Sequence, residues 1–349
     1  MRPVHFVVPD GIDDPTRPSG GNSYDRRVCA GLSASGWTVH EHGVPGSWPT
    51  PDVGERAGLT AVMGRIPDDS VVVLDGLVAS NVPEVLVPEA LRLRLVVLVH
   101  MPVGAGTDSG TRERAVLSAC LAVVTTSRWT KAWLVDRYGL WPGRIHVVEP
   151  GVEAAELAPG TPGGGELLCV AAVIPDKGHD LLLTALAAVA DRAWRLVCVG
   201  TLARDEDFVQ WLGKEAWARG IGDRVQFVGP LTGADLESAY AAADAMVLAS
   251  RAETFGMVVI EALAHGLPVV ATTVGGLPDA LGRAASGARP GLLVPPGDPV
   301  ALAAALRTWL EDPARRQRLR QAAADRRTAL SGWSATSGRF AGVLTEVAR

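Results

Sequence analysis

The chain has 349 residues, a formal net charge of −5 and 48% hydrophobic residues. A chain of this length exceeds what one hydrophobic core usually holds, which predicts two domains. The acidic balance argues against nucleic acid as a partner, and no apolar run reaches the roughly 18 residues of a membrane span, so no stable membrane insertion is expected. Four scattered cysteines without a CxxC pair predict a reduced, cytoplasmic protein, and the sequence does not specify an oligomeric state.

Short apolar runs rich in Val and Leu recur along the chain, each followed by a helical pattern. In the first half they are VHFVV (4–8), SVVVLDG (70–76), LRLVVLVH (93–100) and CLAVVTTS (120–127). In the second half they are LLCVAAV (167–173), WRLVCVG (194–200), VQFVG (225–229), AMVLAS (245–250) and PVVATTV (268–274). Continuous rather than alternating apolar strands indicate parallel sheets covered on both faces, hence a doubly wound α/β fold.

The distribution of Pro and Gly between these runs predicts the domain limits. Pro and Gly concentrate at residues 154–166, which indicates a linker between a first domain over 1–153 and a second over 167–330. A final amphipathic segment over 331–349 opens at Trp333. Ligands of open parallel sheets bind outside the carboxyl ends of the strands, so the functional residues are expected there.

Two glycines follow the first strand of the first domain. Gly20 and Gly21, with Asn22 next to them, predict a loop that lets a ligand approach the backbone closely. Glu41 comes about 20 residues later, as a ribose-binding acid would in a dinucleotide-binding unit, but GxGxxG is absent.

Two further candidates end strands of the first domain. Asp75 lies at the end of the second apolar run and fits either a turn cap or an acceptor-binding acid. His100 ends the third run and is predicted to face the ligand. His40 and His42 alternate as metal ligands sometimes do, but no third ligand accompanies them and no DxD pair follows a strand, so no metal site is predicted.

The second domain contributes a lysine and two acids. Lys177 is one of three lysines in the chain and lies in a turn between a strand and a helix. Glu253 lies in the loop after AMVLAS, and Glu261 lies about two turns along the helix that follows. A helix N-terminus at the end of a strand presents unpaired N–H groups to phosphate or to sugar hydroxyls. Both acids also fit purely structural roles: Glu253 as a partner of the helix dipole, and Glu261 as a partly exposed acid on the helix.

The run ETFGMVVIE (253–261) resembles the EX7E signature of retaining, family 4 glycosyltransferases with the GT-B fold. VGGLPDAL, GLLVPPGD and TSRWTKAWLVDRYGLWPGRIHVVEPGVE resemble later and earlier parts of the same family, and the resemblance covers nearly the whole chain. It implies two doubly wound, Rossmann-like domains with a cleft between them. The first would bind the acceptor, the second would bind the nucleotide sugar, and the closing helix would return to the first.

The resemblance also implies roles for single residues. Glu253 would address the donor sugar, Glu261 the ribose, and Lys177 the diphosphate. The backbone around Thr254, Phe255, Gly256 and Met257 would hold sugar hydroxyls or phosphate. In the first domain, Gly20 and Gly21 would approach the donor and His100 would bind its sugar, with Asn22 and Asp75 as acceptor-binding residues. An arginine common in the family is replaced here by Ala172, and Arg251 is a candidate to supply its charge.

The resulting hypothesis is a retaining hexosyltransferase that uses a nucleotide diphosphate-sugar, with a UDP-sugar expected, and needs no cofactor or metal. Its acceptor would be the hydroxyl of a small molecule, of the kind met in secondary metabolism, and the reaction would take place on the front face of the sugar. Three alternatives remain: a GT-B nucleotide-sugar epimerase, an NAD-dependent dehydrogenase and a non-catalytic sugar-nucleotide-binding protein.

Overall fold

The computed structural model describes residues 2–14, 19–104 and 106–349. Within them, the chain forms two compact units. The first comprises residues 2–14, 19–151 and 331–349, and the second comprises residues 152–330. Among the described residues, no helix is both long and apolar enough to cross a lipid bilayer.

The first unit is a parallel sheet flanked by helices. Its strands are β1 (Arg2–Pro9), β2 (Trp37–Val44), β3 (Val71–Asp75), β4 (Arg94–Val99), β5 (Ala122–Thr125) and β6 (Ile145–Val147). Its helices are α1 (Gly20–Ala34), α2 (Val53–Met63), α3 (Gly76–Ala79), α4 (Pro83–Glu89), α5 (Asp108–Ala119) and α6 (Arg128–Tyr138). In the described part of this unit, six strands pair in parallel in the order β2-β1-β3-β4-β5-β6.

The second unit repeats this architecture. Its strands are β7 (Glu166–Val170), β8 (Arg195–Val199), β9 (Val225–Gly229), β10 (Ala245–Leu248), β11 (Val269–Thr272) and β12 (Gly291–Val294). Its helices are α7 (His179–Ala187), α8 (Glu206–Ala218), α9 (Gly233–Ala242), α10 (Met257–Ala264), α11 (Leu277–Leu281), α12 (Pro299–Glu311) and α13 (Pro313–Arg327). Among the described residues of this unit, six strands form a parallel sheet in the order β12-β11-β10-β7-β8-β9. The predicted doubly wound α/β fold is therefore confirmed.

The last helix, α14 (Trp333–Val347), belongs to the first unit and lies against α1. The two helices approach closely at Gly31, where a Cβ atom would lie 2.0 Å from the Ser337 hydroxyl oxygen. Aromatic contacts add to this packing, since Phe340 lies 6.1 Å from Phe6 between ring centroids. Glycine at position 31 is thus what lets the closing helix dock.

Helix α6 has a clear structural signal at each end. Ser127 caps its start by accepting a hydrogen bond from the backbone N–H of Thr130. Gly139 ends it at φ 65°, a left-handed conformation that favours glycine. Both residues therefore fix the limits of α6.

The glycine-rich segment after β1 differs from its prediction. Gly20, Gly21 and Asn22 do not form a loop but the first turn of α1. Ser19 caps this turn, its hydroxyl oxygen accepting from the backbone N–H of Asn22 (3.3 Å). A serine N-cap overrides the preference of paired glycines for irregular structure.

The predicted linker is fastened to the second unit. Arginine side chains of α13 donate to its carbonyl groups: Arg320 to Ala158 (2.8 Å) and Arg327 to Ala155. The buried Asp244 accepts hydrogen bonds from Thr161, including its hydroxyl at 2.6 Å. Several arginines of α13 therefore serve the linker backbone, and the contacts divide the units at Gly151 and at Leu330.

Candidate active site

Lys177 and Glu253 come together at the carboxyl ends of two neighbouring strands of the second sheet. Lys177 ends a short 3₁₀ turn after β7, and Glu253 lies in the loop between β10 and α10. Lys177 Nζ lies 2.6 Å from Glu253 Oε1, and Ser250 Oγ donates to the same oxygen at 3.2 Å. The side chains are only 20% and 13% exposed, so the carboxylate is held in place by a shielded ion pair.

Two glycines let the backbone pass close to this pair. A Cβ atom at Gly178, with φ 70°, would lie 2.0 Å from the Ala249 carbonyl oxygen. At Gly275, with φ 52°, it would lie 1.5 Å from the carbonyl oxygen of Glu253. Only glycine fits at either position, which gives the GG pair of VGGLPD a physical role: it packs against the loop that carries the acid.

Helix α10 begins directly after that loop. Gly256 is its N-cap at φ 89°, and no side chain caps it. Within residues 2–14, 19–104 and 106–349, no group accepts a hydrogen bond from the backbone N–H of Thr254, Phe255, Gly256 or Met257. These donors and the positive end of the helix form a site suited to anionic or hydroxyl oxygens.

Glu261 lies one turn into α10, not two as predicted, because the helix begins at Met257. Its Oε2 accepts a hydrogen bond from the Tyr240 hydroxyl (2.7 Å). Burial raises the pKa of Glu261, and the bond from Tyr240 opposes that rise. The Tyr240 ring stacks on His265 at 4.6 Å between centroids, and His265 Nε2 lies 2.9 Å from a Glu237 carboxylate oxygen.

Tyr240 was missed in the sequence. It lies in α9, 21 residues before Glu261, and reads there as an ordinary core aromatic. Its hydroxyl is what distinguishes it, since a buried Tyr O–H usually has a partner. No motif would have indicated which partner.

Arg251, the candidate to supply the charge that is missing at Ala172, lies beside the turn that carries Lys177. Its backbone N–H donates to the Asp176 carbonyl (2.8 Å). Its guanidinium, however, forms a two-pronged pair with Asp180, with the shorter contact at 2.6 Å. The charge that Ala172 lacks is thus present nearby but is paired with an acid.

The first unit brings His100 together with two acids. His100 Nε2 lies 2.8 Å from Asp25 Oδ1, and the ring packs edge-on to Tyr24 at 5.3 Å between centroids. One carboxylate oxygen each of Asp25 and Asp75 and one ring nitrogen of His100 all lie within 4.8 Å of one another. Glycine at position 21 leaves room for the imidazole, because a Cβ atom there would lie 3.2 Å from the His100 ring.

This arrangement changes the protonation of two groups. Burial alone would lower the pKa of His100, but the Asp25 carboxylate outweighs it and raises that pKa to about 8. Burial, and then the neighbouring Asp25, raise the pKa of Asp75 to about 7. Asp75 also accepts a hydrogen bond from the backbone N–H of Leu77 (2.6 Å), so it acts as the cap of α3.

Asp25 is the second residue that the sequence did not reveal. It lies four residues after Gly21 on α1, so both positions share one face of that helix. The i,i+4 spacing was visible, but the contact with His100 spans 75 residues of sequence. Only the sheet brings the two together.

The remaining candidates of the first unit have local roles. Glu41 pairs with Arg26, which also binds Asp13, so the ribose-binding role considered for it is not supported. His40 and His42 lie on β2 beside His5, which the sequence did not connect with them. His5 Nδ1 lies 2.9 Å from His42 Nε2, and its ring stacks on His40 at 5.0 Å between centroids.

Comparison with known proteins identifies the family. Residues 161–326 match the family model described as "Glycosyl transferases group 1". A D-inositol 3-phosphate glycosyltransferase of Catenulispora acidiphila is 35% identical over 318 residues, which is 82% of this chain and 74% of that protein. The protein of that name in Kineococcus radiotolerans is 36% identical over 64% of this chain, and this match spans 57% of its length.

Solved structures agree on the fold. Sucrose-phosphate synthase of Thermosynechococcus elongatus superposes with a TM-score of 0.77 at 22% identity, covering 99% of each chain. The Anabaena protein HepE, solved with UDP and glucose, gives 0.78 at 19% identity, covering 99% of this chain and all of that one. These likenesses assign the two Rossmann-like units to the GT-B fold. With the family model and the Catenulispora relative, they show that the chain belongs to the glycosyl transferases group 1.

Proposed function

We propose that the protein transfers a sugar from a nucleotide diphosphate-sugar to a hydroxyl of a small-molecule acceptor, with retention at the anomeric carbon and without a metal ion. The observation that carries this proposal is the shielded Lys177–Glu253 pair beside the uncapped start of α10. A cation, a fixed carboxylate and unpaired N–H groups supply what a sugar diphosphate requires.

Each part of this pair has a task in the reaction. The Lys177 ammonium and the N–H groups of α10 stabilise the negative charge that the leaving diphosphate develops. Glu253 orients the donor sugar through its hydroxyls. In a front-face reaction, the bond from the anomeric carbon to the diphosphate oxygen breaks as the bond to the acceptor oxygen forms on the same face. The acceptor proton passes to the departing phosphate oxygen, so no enzymatic nucleophile is needed.

Glu261 is proposed to accept hydrogen bonds from the nucleotide ribose. Tyr240 holds its Oε2, which leaves its other carboxylate oxygen for a ribose hydroxyl. UDP is the first nucleotide to test, because HepE was solved with UDP and glucose. A hexose is accordingly the expected donor sugar.

The first unit is proposed to contact the sugar and the acceptor. His100 would bind the donor sugar, with Gly20 and Gly21 allowing close approach to α1. Of the two acceptor candidates, Asn22 is better placed than Asp75, whose carboxyl group is buried and already caps α3. D-inositol 3-phosphate is the first acceptor to assay, because the relatives carry its name. The four cysteines are unpaired and buried, which fits the cytoplasm as the proposed location.

Thermal unfolding with a ligand panel tests the donor site. UDP, GDP, ADP, dTDP and NAD are each added with magnesium and with EDTA, to the wild type and to Glu261→Ala. A ligand at 100 times its Kd should add about 2.7 kcal/mol to the free energy of unfolding. We expect one nucleoside diphosphate to do so in both buffers and to lose its effect in the variant. The exposed Glu206→Ala on α8 is the matched control and should keep the full shift.

Other outcomes would favour the alternatives. A shift with NAD alone would replace the proposal with the dehydrogenase, and a shift that requires magnesium would refute metal independence. Donor consumed without any acceptor would indicate an epimerase, whereas intact donor after long incubation with acceptors would indicate a binding protein. An inverted product anomer would refute retention.

A further inference from the structure

The two carboxylate oxygens of Asp25 have different surroundings. Asp25 is 1% exposed, and its Oδ1 lies 2.8 Å from His100 Nε2. Its Oδ2 is buried and has no donor among the described residues. A buried carboxylate oxygen without a hydrogen bond is costly, so a proton is expected near it.

Asp75 can supply that proton. Its carboxyl group is 3% exposed, and one of its oxygens lies within 4.8 Å of a carboxylate oxygen of Asp25. Two adjacent buried carboxylates do not both ionise, because like charges repel and both would lose their hydration. A proton on Asp75 gives Asp25 Oδ2 the donor it lacks, and the raised pKa of Asp75, about 7, agrees with this. The two acids then carry one negative charge between them.

We propose that Asp25 is the positioning residue of the first unit, which holds His100 as a cation and fixes its Nε2–H, so that Nδ1–H is the group presented to the substrate. This inference rests on the proposed function. Among the described residues, Asp25 from α1 and Asp75 from the end of β3 are the charged groups that face the imidazole, with the Tyr24 ring against its edge. The Arg339 guanidinium, on α14, interacts electrostatically with the Tyr24 hydroxyl group.

The arrangement determines what His100 offers to a ligand. A neutral imidazole has one donor and one acceptor, which can exchange, whereas an imidazolium has two donors. With Nε2–H bound to Asp25, Nδ1–H has no partner among the described residues and is left as a donor of fixed direction. Without Asp25, the main cause that raises the pKa of His100 would be gone and burial would lower it, so the ring would be mainly neutral at pH 8.

Nitrogen NMR of ¹⁵N-histidine-labelled protein tests the inference without turnover. His100→Gln assigns the signal, and its titration is compared in wild type, Asp25→Asn and Asp75→Asn. We expect the apparent pKa of His100 near 8 in the wild type and at least one pH unit lower in Asp25→Asn. Asp75→Asn should lower it by less than Asp25→Asn does, because Asp75 is the smaller of the two carboxylate contributions to the raised pKa of His100. Asp136→Asn, an exposed position on α6, should leave it unchanged.

Several results would overturn the inference. One is a wild-type His100 that is neutral at pH 7, which is decisive even if Asp25→Asn does not fold. Another is an equal shift in Asp25→Asn and Asp136→Asn. A third is selective broadening of the His100 signal by micromolar Mn²⁺, which would mean that the three residues bind a cation instead.

The rate of transfer gives a second measurement. The alkaline limb of the kcat profile should move to lower pH in Asp25→Asn, with a 10- to 100-fold loss of kcat at pH 8 and a smaller change in donor KM. An unmoved limb would contradict the positioning role. Failure of the proposed function is recognised separately, because the NMR result stands even where no transfer is detected.

Discussion

The two units place charge at the ends of their parallel strands by opposite means. In the second unit, Lys177 and Glu253 meet as ammonium and carboxylate, so each charge stabilises the other. In the first unit, two acids, Asp25 and Asp75, lie side by side. A proton on Asp75 removes one negative charge, and His100 balances the other. The Lys177–Glu253 pair is therefore held by opposite charges, whereas the charge on the Asp25–Asp75 pair changes with pH. Of these two pairs, the acid pair of the first unit is therefore the one expected to make stability depend on pH.

Removing the cation of the second unit should have the largest effect. Lys177→Ala deletes the charge proposed to stabilise the leaving diphosphate, so we expect kcat to fall by about 10² to 10³-fold. It also leaves Glu253 shielded and unpaired, which should cost stability. Steady-state kinetics and thermal unfolding measure the two losses. Lys214→Ala, an exposed lysine of α8, is the control.

A double variant separates catalysis from stability at this pair. Adding Glu253→Gln to Lys177→Ala removes the unpaired carboxylate, so the unfolding temperature should recover while kcat does not. Recovery of both would mean that the lysine has only a structural role. A kcat loss below tenfold in the single variant would also contradict the proposed role.

The acid pair of the first unit should affect stability through pH. Because the pKa of Asp75 is raised to about 7, the folded chain holds this proton while the unfolded chain loses it above about pH 4. The free energy of unfolding therefore falls as pH rises between these values. Asp75→Asn cannot ionise, so its advantage over wild type should grow by about 2 kcal/mol from pH 5 to 7 and then level off.

Denaturant unfolding at half-unit pH steps measures this difference, with Asp136→Asn as control. Curves for Asp75→Asn and wild type that stay parallel would show that Asp75 is already ionised at pH 5. The shared-proton arrangement would then be wrong. His100 contributes in the same direction, since its raised pKa means that its stabilisation is lost from about pH 6.5 to 8.

Most central strands could be predicted because they are buried on both faces. β3 and β5 are buried at every position, and their sequences are continuous apolar runs. The edge strand β2 was missed, because it is half exposed and carries His40, Glu41 and His42. β6 was missed because three residues, Ile145–Val147, give too short a signal.

Residues within one motif were easier to find than their partners. Glu253 and Glu261 are eight residues apart in one loop and helix, so spacing and resemblance reveal them. Their partners Lys177 and Tyr240 lie 76 and 21 residues away, and only the lysine stood out, as one of three in the chain. Asp25 stood out in no way. Its role depends on burial and on one contact across the sheet, which local sequence does not encode.

The smallest effect concerns Tyr240, and it has a matched control in the other unit. Tyr240→Phe removes the hydroxyl that holds Glu261, so nucleotide binding should weaken by about fivefold, the worth of one hydrogen bond of about 1 kcal/mol. Tyr138→Phe removes an equivalent bond, from a buried hydroxyl to Glu113 (2.6 Å), in the first unit. It should cost similar stability but leave the Kd of UDP unchanged. Calorimetric titration with UDP measures both. Equal weakening in the two variants would mean that general stability, and not the position of Glu261, sets the affinity for the nucleotide.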